Sequence, residues 1–582
     1  MINALLINGA PINSGSMGGG GAAVVVEPRV SILWRARVML DGVDVSDLLI
    51  GTIRVEEERG AASLADCAIL LDPGPVNPLS YTGKPLSIHY VEWRDGAWVE
   101  YLLFSGWVIR PSFEPVERTV AFECSDRIQD AVEALSVAQV DALAGGYWSA
   151  DLFEAPEGRS RWDYLQERLS TRAASLNRTA AGTLVVTPWA ATAPAFVFGE
   201  GVTMDRSLGW SPVDLSDRVN VVELEALQRF PRLRERHQPF AWEHPAVVGL
   251  SDIDGFCFWH TQTTELPDIP MIEEGSEGAG YQAILNAAWY RLPLTETAGQ
   301  NTGSFCDPQF AWVNNYPDLL LGGEWTSARR WVQPVTELYR IRVEAPQSVI
   351  DAGEVIRRDR VAVDSSDNER ADTWGEEAWT APAADATQDA LGDWVVDLRE
   401  AARWQQALTC AVAIQRVQIL AAHRGNRLSW QVPTSDAMGV TLAHTLRVED
   451  QGVICEAPVW MLVHELSIDE QTALTTVVQG VSQGGGSIND PITVPPAPPS
   501  TPAGEVPLLI QLPTQLGGQA ESPPYDEELD GFSGNYPTIL EPYPRRFQIT
   551  APEIPADHQD EYEAEATVTY RVAVPNDLLE FV

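Results

Sequence analysis

From about Arg29 to Asp126 apolar residues recur at every second position, the period of a strand with one face in a core. Ile32, Trp34, Ala36 and Val38 alternate with Leu33, Arg35 and Arg37; Val120, Phe122 and Cys124 alternate with Thr119, Ala121 and Glu123. Asp41-Gly42 and Asp95-Gly96 fall between such runs, and glycine accepts the positive φ of a tight hairpin turn. About six or seven such strands, closing on themselves, predict a small β-barrel.

The period then changes. Asp126–Ala144 and Arg161–Leu176 read as helices; in the second, Trp162, Leu165, Leu169 and Ala173 share a stripe, with Glu167, Arg168 and Arg172 solvated. Ala181-Gly182 turns into a strand at Thr183–Pro188, and strand period returns at Arg218–Leu224. Residues 241–395 are Trp- and Pro-rich; a helix at Tyr281–Tyr290 and an acidic loop at Glu273–Glu277 are expected there. Val396–His423, rich in Ala and Gln and free of Gly and Pro, reads as a long helix closed by His423-Arg424 and Gly425. Strands follow at Arg427–Val432, His444–Glu449, Val453–Glu456, Met461–Ile468 and Ala473–Gly480.

Both ends differ from this middle. Residues 1–27, apolar and Asn-rich before Gly18–Gly21, read as an arm that orders against a neighbour. Gly484-Gly485-Gly486-Ser487 and the prolines from Pro491 to Pro502 read as a linker, flexible and then extended. The stretch 506–582 carries 14 acidic residues against three arginines, and one strand pattern, Glu563–Val574, with Ala566, Val568, Tyr570, Val572 and Val574 facing one way. Too small to fold alone, that strand is expected to join a partner's sheet.

Composition narrows the function. At roughly 150 residues per domain, 582 residues make about three to five domains. A net charge of −43 argues against tight, salt-sensitive nucleic-acid binding but suits a wall that nucleic acid slides past. Of 39 basic residues only Lys84 is lysine, a habit of composition rather than a recognition device. Cys67, Cys124, Cys257, Cys306, Cys410 and Cys455 are scattered, with no CxxC pair, and read as core residues of a reducing compartment. With no basic signal region and no apolar run approaching roughly 18 residues, the chain is expected to be soluble, made in the cytoplasm and without stable membrane association.

Chemical motifs fail on inspection. The single Gly-Lys, Gly83-Lys84, precedes Pro85, and Pro78 occupies the upstream glycine position of a P-loop. Gly18–Gly21 lacks the strand and helix of a dinucleotide fingerprint. His464-Glu465 would need a second histidine where Ile468 stands, and Gly531-Phe532-Ser533-Gly534 is not a nucleophile elbow. With 82 carboxylates some pair will mimic a glycosidase, so none informs. The 20 tryptophans, spread from Trp34 to Trp460, suit cores and interfaces better than a sugar platform. His89 and His464 read as paired structural residues. No residue is nominated as catalytic, cofactor-binding or metal-ligating, no cofactor is expected, and the chain is expected not to be an enzyme.

An ordered series of segments does carry a resemblance. Asp41-Gly42-Val43-Asp44-Val45, Cys67–Leu71 with Asp72-Pro73, Gly83–Ile88, Leu103–Val108 and Thr119–Asp126 resemble the first hub domain of phage tail baseplate hub proteins. These include the trimeric hubs of contractile tails, the late-control tail proteins and their counterparts at the tips of long non-contractile tails. Trp162–Trp189 is similar to the α/β segment after that barrel. Ala421–Asn426 into Leu428–Pro433, with His464–Asp469 and Leu474–Thr476, is similar to the family's closing barrel. Ile2–Leu5 and Ile7-Asn8-Gly9 resemble the short starts of proteins of long flexible tails.

The resemblance implies a mainly β fold with α+β parts: two hub-type β-barrels per subunit, intervening α/β domains, an N-terminal arm and a Pro-rich linked C-terminal extension. In residues this means the arm 1–27, a first barrel 28–130, an α/β domain 131–215 and a second barrel from 216–240 and 425–482. An inserted α/β region 241–424, a linker 483–505 and the extension 506–582 complete the chain. The implied function is that of a homotrimer at the virion tail tip, adapting a six-fold tube to a three-fold tip and passing tape-measure protein and DNA. Implied partners are a distal tail protein or tail tube hexamer, the tape-measure protein, DNA in transit, and a central tip, spike or fibre protein reached through Glu563 to Val574. The alternatives are a hub that degrades cell wall or capsule through 241–395, and a receptor-binding tip protein.

Overall fold

The computed structural model describes residues 23–27, 32–245, 266–292, 294–296, 312–313, 315–379, 384–498, 506–516, 523–534 and 543–582. The expected arm before residue 23, together with Cys257 and Cys306, lies outside them. The chain is mainly β: two barrels share one 15-stranded ladder, and an 8-stranded sheet stands apart from it.

The first barrel forms as its alternation predicts. Trp34–Leu40, Pro85–Arg94, Ala97–Glu114, Thr119–Ser125, Leu64–Leu70 and Leu49–Glu58 pair in that spatial order. Val45 N–H donates to Val38 O at 2.9 Å, lengthening the hairpin that turns the chain from Trp34–Leu40 into Leu49–Glu58. Val38, Ile53, Val55, Ile88, Phe104, Val120 and Phe122 fill the interior, each at most 1% exposed. Both Asp-Gly turns hold positive φ at both residues.

The second barrel differs from expectation. Its core joins Phe198, Leu428, Trp430, Leu446, Cys455 and Val477, and its strands include Phe196–Phe198 and Gly209–Ser211, not 216–240. Both ends of the described chain enter it. Val24–Val26 pairs in parallel with Phe196–Phe198, and Leu578–Phe581 pairs antiparallel with Val453–Glu456. The two strands expected at 453–456 and 461–468 are one, Val453–Ser467, because a bulge at Trp460 absorbs the break in alternation that made them look separate.

Between the barrels, the helix expected over 126–144 is two, Ile128–Glu133 and Val137–Ala144. Ser136 restarts the second: its hydroxyl accepts from Gln139 N–H, and the Gln139 side chain accepts from Ser136 N–H. The next helix is Arg161–Leu169, shorter than expected, since Ala174–Arg178 leaves it to pair with Leu184–Pro188.

Residues 216–240 belong instead to a hairpin of Val221–Glu243 against Leu320–Glu344, in unbroken register from Val221↔Glu344 to Glu243↔Gly322. Near its base the hairpin is flanked by Ile356–Asp364 on one side and Tyr562–Arg571 on the other. Near its tip it is flanked by Ile510–Leu512 and Ala283–Arg291. Ala283–Arg291 falls where a helix was expected; its ladder to the hairpin overrides its alanines. The expected acidic loop 273–277 is inside a helix, Ile269–Gly278, started by Asp268, whose side chain accepts from Met271 N–H, and by Pro270 in the first turn.

Ala401–His423 is the long helix; Trp394–Asp397 before it is a strand on the hairpin. The helix buries Trp404, Leu408, Val412 and Ile419 against Leu224, Tyr339 and Ile341 of the sheet. The described residues of the linker and extension pack on the rest of the chain. Ile492 and Val494 pack on that same core, and Gly484 sits so close to Val574 and His423 that a Cβ would meet their side chains at 2.6 and 2.8 Å. Tyr562–Arg571 pairs in parallel with Val335–Glu344 of its own chain, so the expectation that Glu563–Val574 completes a partner's sheet is overturned: its sheet is internal.

Candidate functional site

The seam where three units meet begins with a turn. The strand Leu49–Glu58 ends at Arg59-Gly60, and Gly60 holds φ at 78°, which a side chain resists. Asn177, from the strand Ala174–Arg178, fixes that turn by donating to Glu58 O at 2.7 Å and accepting from Gly60 N–H at 3.3 Å. Arg59 is thereby aimed inward. It donates to Val459 O (2.6 Å) on the shared strand, Pro188 O (2.9 Å) in the α/β unit and Leu442 O (2.5 Å) in the second barrel. The guanidinium is buried, and burial, with Arg424 adding, brings it down to about 9, so it stays charged at neutral pH. Trp460, at the bulge, lies between Arg59 and Arg427, with ring-to-guanidinium distances of 5.8 and 4.4 Å.

Beneath this joint lies a cavity of ≈ 570 Å³ bounded by Leu102, Val185 and the loop Ala437–His444. Glu57 and His464 also line it. Burial, with Asp126 adding, pushes the Glu57 carboxyl up to about 7; burial pulls the fully enclosed His464 down to about 4. Thr475 donates to Thr434 Oγ1 at 3.1 Å, so its oxygen accepts from His464 Nδ1 at 2.8 Å. The seam thus holds an acid and a base whose protonation at neutral pH inverts the usual order.

The second concentration of chemistry is ionic and lies midway along the hairpin. Asp393, fully buried, accepts from Arg236 Nε (2.7 Å) and Nη2 (2.9 Å) and from Arg234 Nη1 (3.0 Å). Arg232 pairs with Asp397 at 2.6 Å, and Glu235 takes Arg330 at 2.8 Å and His237 at 2.6 Å. Arg330 is stacked between Trp374 and Trp379, at 4.2 and 3.8 Å. His558, on the short helix Ala556–Gln559 of the extension, plugs the centre with Nδ1 3.2 Å from Arg234 Nη1; burial, then Arg234, lowers its pKa. The hairpin is covered on both faces here, which is why its strands carry charge where a core would be apolar.

His89 and His464, read as paired strand histidines, sit in strands with partners: His89 Nδ1 lies 2.6 Å from Glu100 Oε1. Arg59 and the ionic cluster went unnoticed in the sequence. The cluster had a signal: arginine at 232, 234 and 236, the period of a strand, against aspartate at 389, 393 and 397. Arg59 had none.

No family model and no curated protein matches the chain. Solved structures do. The tail protein from Neisseria meningitidis MC58 is 10% identical with a TM-score of 0.35, covering 77% of this chain and 96% of its own. The prophage MuSo2 43 kDa tail protein from Shewanella oneidensis gives the same four values. The prophage tail protein gp18 from Listeria monocytogenes EGD-e is 7% identical, with a TM-score of 0.30, covering 76% and 94%.

Proposed function

We propose that the chain is a structural subunit of a phage tail tip, three copies forming the hub ring that joins a six-fold tube to a three-fold tip. The observation that carries this reading is the strand Val453–Ser467. It pairs with Thr445–Asp450 in the second barrel and with Leu49–Glu58 in the first, so two barrels are held side by side as one piece. Three such pairs offer six barrel faces in a ring. The ordered hub-like segments of the sequence agree with it.

The work is mechanical rather than catalytic. A net charge of −43 per copy supplies carboxylates to line a channel through which DNA and tape-measure protein pass without adhesion. Partners are a distal tail protein or tube hexamer above and a tip, spike or fibre protein below. The test is a density map of the assembled tail. This chain is expected on the axis, in a copy number divisible by three, around an acidic lumen. An off-axis position, or an arginine-lined bore, overturns the reading.

A further inference from the structure

Two paired strands carry polar residues at core-facing positions where their pattern calls for apolar ones. Glu57 follows Ile53 and Val55 on the inward side of Leu49–Glu58, and His464 stands between Leu462 and Leu466 on Val453–Ser467. The register sets Glu57 opposite Leu462 and His464 opposite Val55, so the two are diagonal neighbours on one face. Both line the seam cavity of ≈ 570 Å³.

Neither is satisfied there. The Glu57 carboxyl makes no hydrogen bond or ion pair with any described residue. His464, 5% exposed, commits its Nδ1 proton to Thr475 Oγ1 at 2.8 Å, which leaves Nε2 as an acceptor without a donor among the described residues. No bond joins the acid to the imidazole. Buried polar groups without partners are costly, and two of them at core positions of adjoining strands mark a place shaped for something that enters.

We propose that this cavity binds a primary alkylammonium group, its N–H donors shared between Glu57 and His464 Nε2 and its methylenes lying along the apolar walls. An ammonium carries three donors and no acceptor, which matches a site that offers a carboxylate and an imidazole lone pair. Leu102, Val185, Met438 and Leu442 give the stem an apolar bed. The chain's net charge of −43 draws cations toward it. The group is not the chain's own, because its one lysine, Lys84, is held on Asp41 at 2.7 Å.

The other charged and titratable groups on the cavity are engaged. Glu100 holds Arg37 at 3.2 Å and His89 at 2.6 Å, and Tyr101 accepts from Arg94 at 3.2 Å. Arg178 donates to Asp126 O and, at 3.3 Å, to Gly182 O; His444 Nδ1 accepts from Thr441 N–H at 3.1 Å. Asp126, whose charge acts on Glu57, accepts from Ile128 N–H at 3.1 Å. Glu57 is therefore the carboxyl left to meet a cation. It titrates near 7, so a bound cation expels its proton: about one proton per site at about pH 6, and almost none above about pH 8.

The full-length chain is titrated with n-butylammonium chloride by calorimetry, in buffers of different ionisation enthalpy. Saturable binding at one site per chain is expected, with that proton release and with affinity at least ~10-fold weaker in Glu57→Gln. n-Butanol, which lacks the charge, and butyltrimethylammonium, which lacks the N–H donors, each bind at least ~10-fold more weakly to wild type. Nα-acetyl-lysine-N-methylamide separates the sources: binding as tight as butylammonium identifies a lysine side chain of a partner protein, and exclusion identifies a free amine. Butylammonium that does not saturate by ~10 mM, that releases no proton at about pH 6, or that is matched by butanol or the trimethyl analogue overturns the proposal. Equal binding by folded Glu57→Gln does the same. The ligand series and the proton count use wild type alone, so a variant that fails to fold does not shield the proposal, and the cavity lies within one chain, so the result stands apart from whether the chain assembles.

Discussion

Arg59 reaches from the end of a first-barrel strand to the carbonyl of Leu442 in the second barrel, 2.5 Å away, with no carboxylate at the contact. A buried cation from the first barrel satisfied by main-chain oxygens of the α/β unit and of two segments of the second barrel is a positional lock. Its strength lies in the number of units it spans.

Arg59→Met leaves three carbonyls without their donor and is expected to cost on the order of 3 kcal/mol. Arg59→Lys recovers little, since an ammonium lacks the planar fork that reaches all three. Denaturant unfolding of the three chains checks both. A Met variant as stable as wild type contradicts the lock.

Glu57 and His464 set opposite limits on the pH range of the seam. Glu57 titrates near 7 when folded against an ordinary 4.5, so its stabilisation is complete below the ordinary value and is lost as pH rises through 7. His464 titrates near 4 against 6.5, so its contribution is complete above 6.5 and is lost as pH falls through 4. Glu57→Gln is expected to melt higher than wild type at about pH 8, by a difference on the order of 1–3 kcal/mol, and to lose that advantage near pH 5. Melting curves across pH decide; a constant offset would show that Glu57 does not titrate there.

Asp393 neutralises two arginines at once. Asp393→Ala strips Arg236 of its carboxylate in the interior and leaves Arg234 with Asp389 alone, at 3.2 Å, and about 3 kcal/mol of stability is expected to be lost. Asp397→Ala removes a carboxylate that is itself a third exposed to solvent, leaving water access to the buried Arg232, and is expected to cost less. Thermal unfolding of the pair tests the ranking, and equal losses would mean that burial is not what gives the cluster its weight.

Truncation after Ser482 is expected to disrupt the fold, not merely detach an appendage. It removes Asp577, whose carboxylate accepts from Arg424 at 2.8 Å and from Ser482 N–H at 2.9 Å within the interior. It also strips Tyr570 and Val572 from the core beneath the long helix. Loss of soluble, cooperatively folding protein is the predicted outcome; a truncated chain with an unchanged melting curve would contradict it.

The first barrel was legible because its strands are local neighbours with one buried face, so Val120, Phe122 and Cys124 display the period that places them. The long helix was legible for a similar reason. The second barrel was legible only over 425–482, where its strands were expected; its pieces near 25, 196–211 and 580 were not, because short strands such as Phe196–Phe198 carry no period. The hairpin centre failed on burial: Arg234 is enclosed on both faces and reads in sequence as solvated charge. Glu563–Val574 showed its alternation plainly, but a sequence alone does not say whose sheet a strand completes, and this one is claimed by Val335–Glu344. Arg59 illustrates the limit, since nothing in its neighbours foretells three carbonyls from elsewhere.

Pro231 and Pro334 face each other across the hairpin, and neither has an N–H to give a strand on its outer side. Below them lie the charged outer strands, above them the ionic knot and the aromatic tip. Pro231 O turns outward to accept from Leu398 N–H at 3.1 Å, so the missing N–H groups face away from the opposite arm and the prolines cost the arm-to-arm ladder no bond at that height.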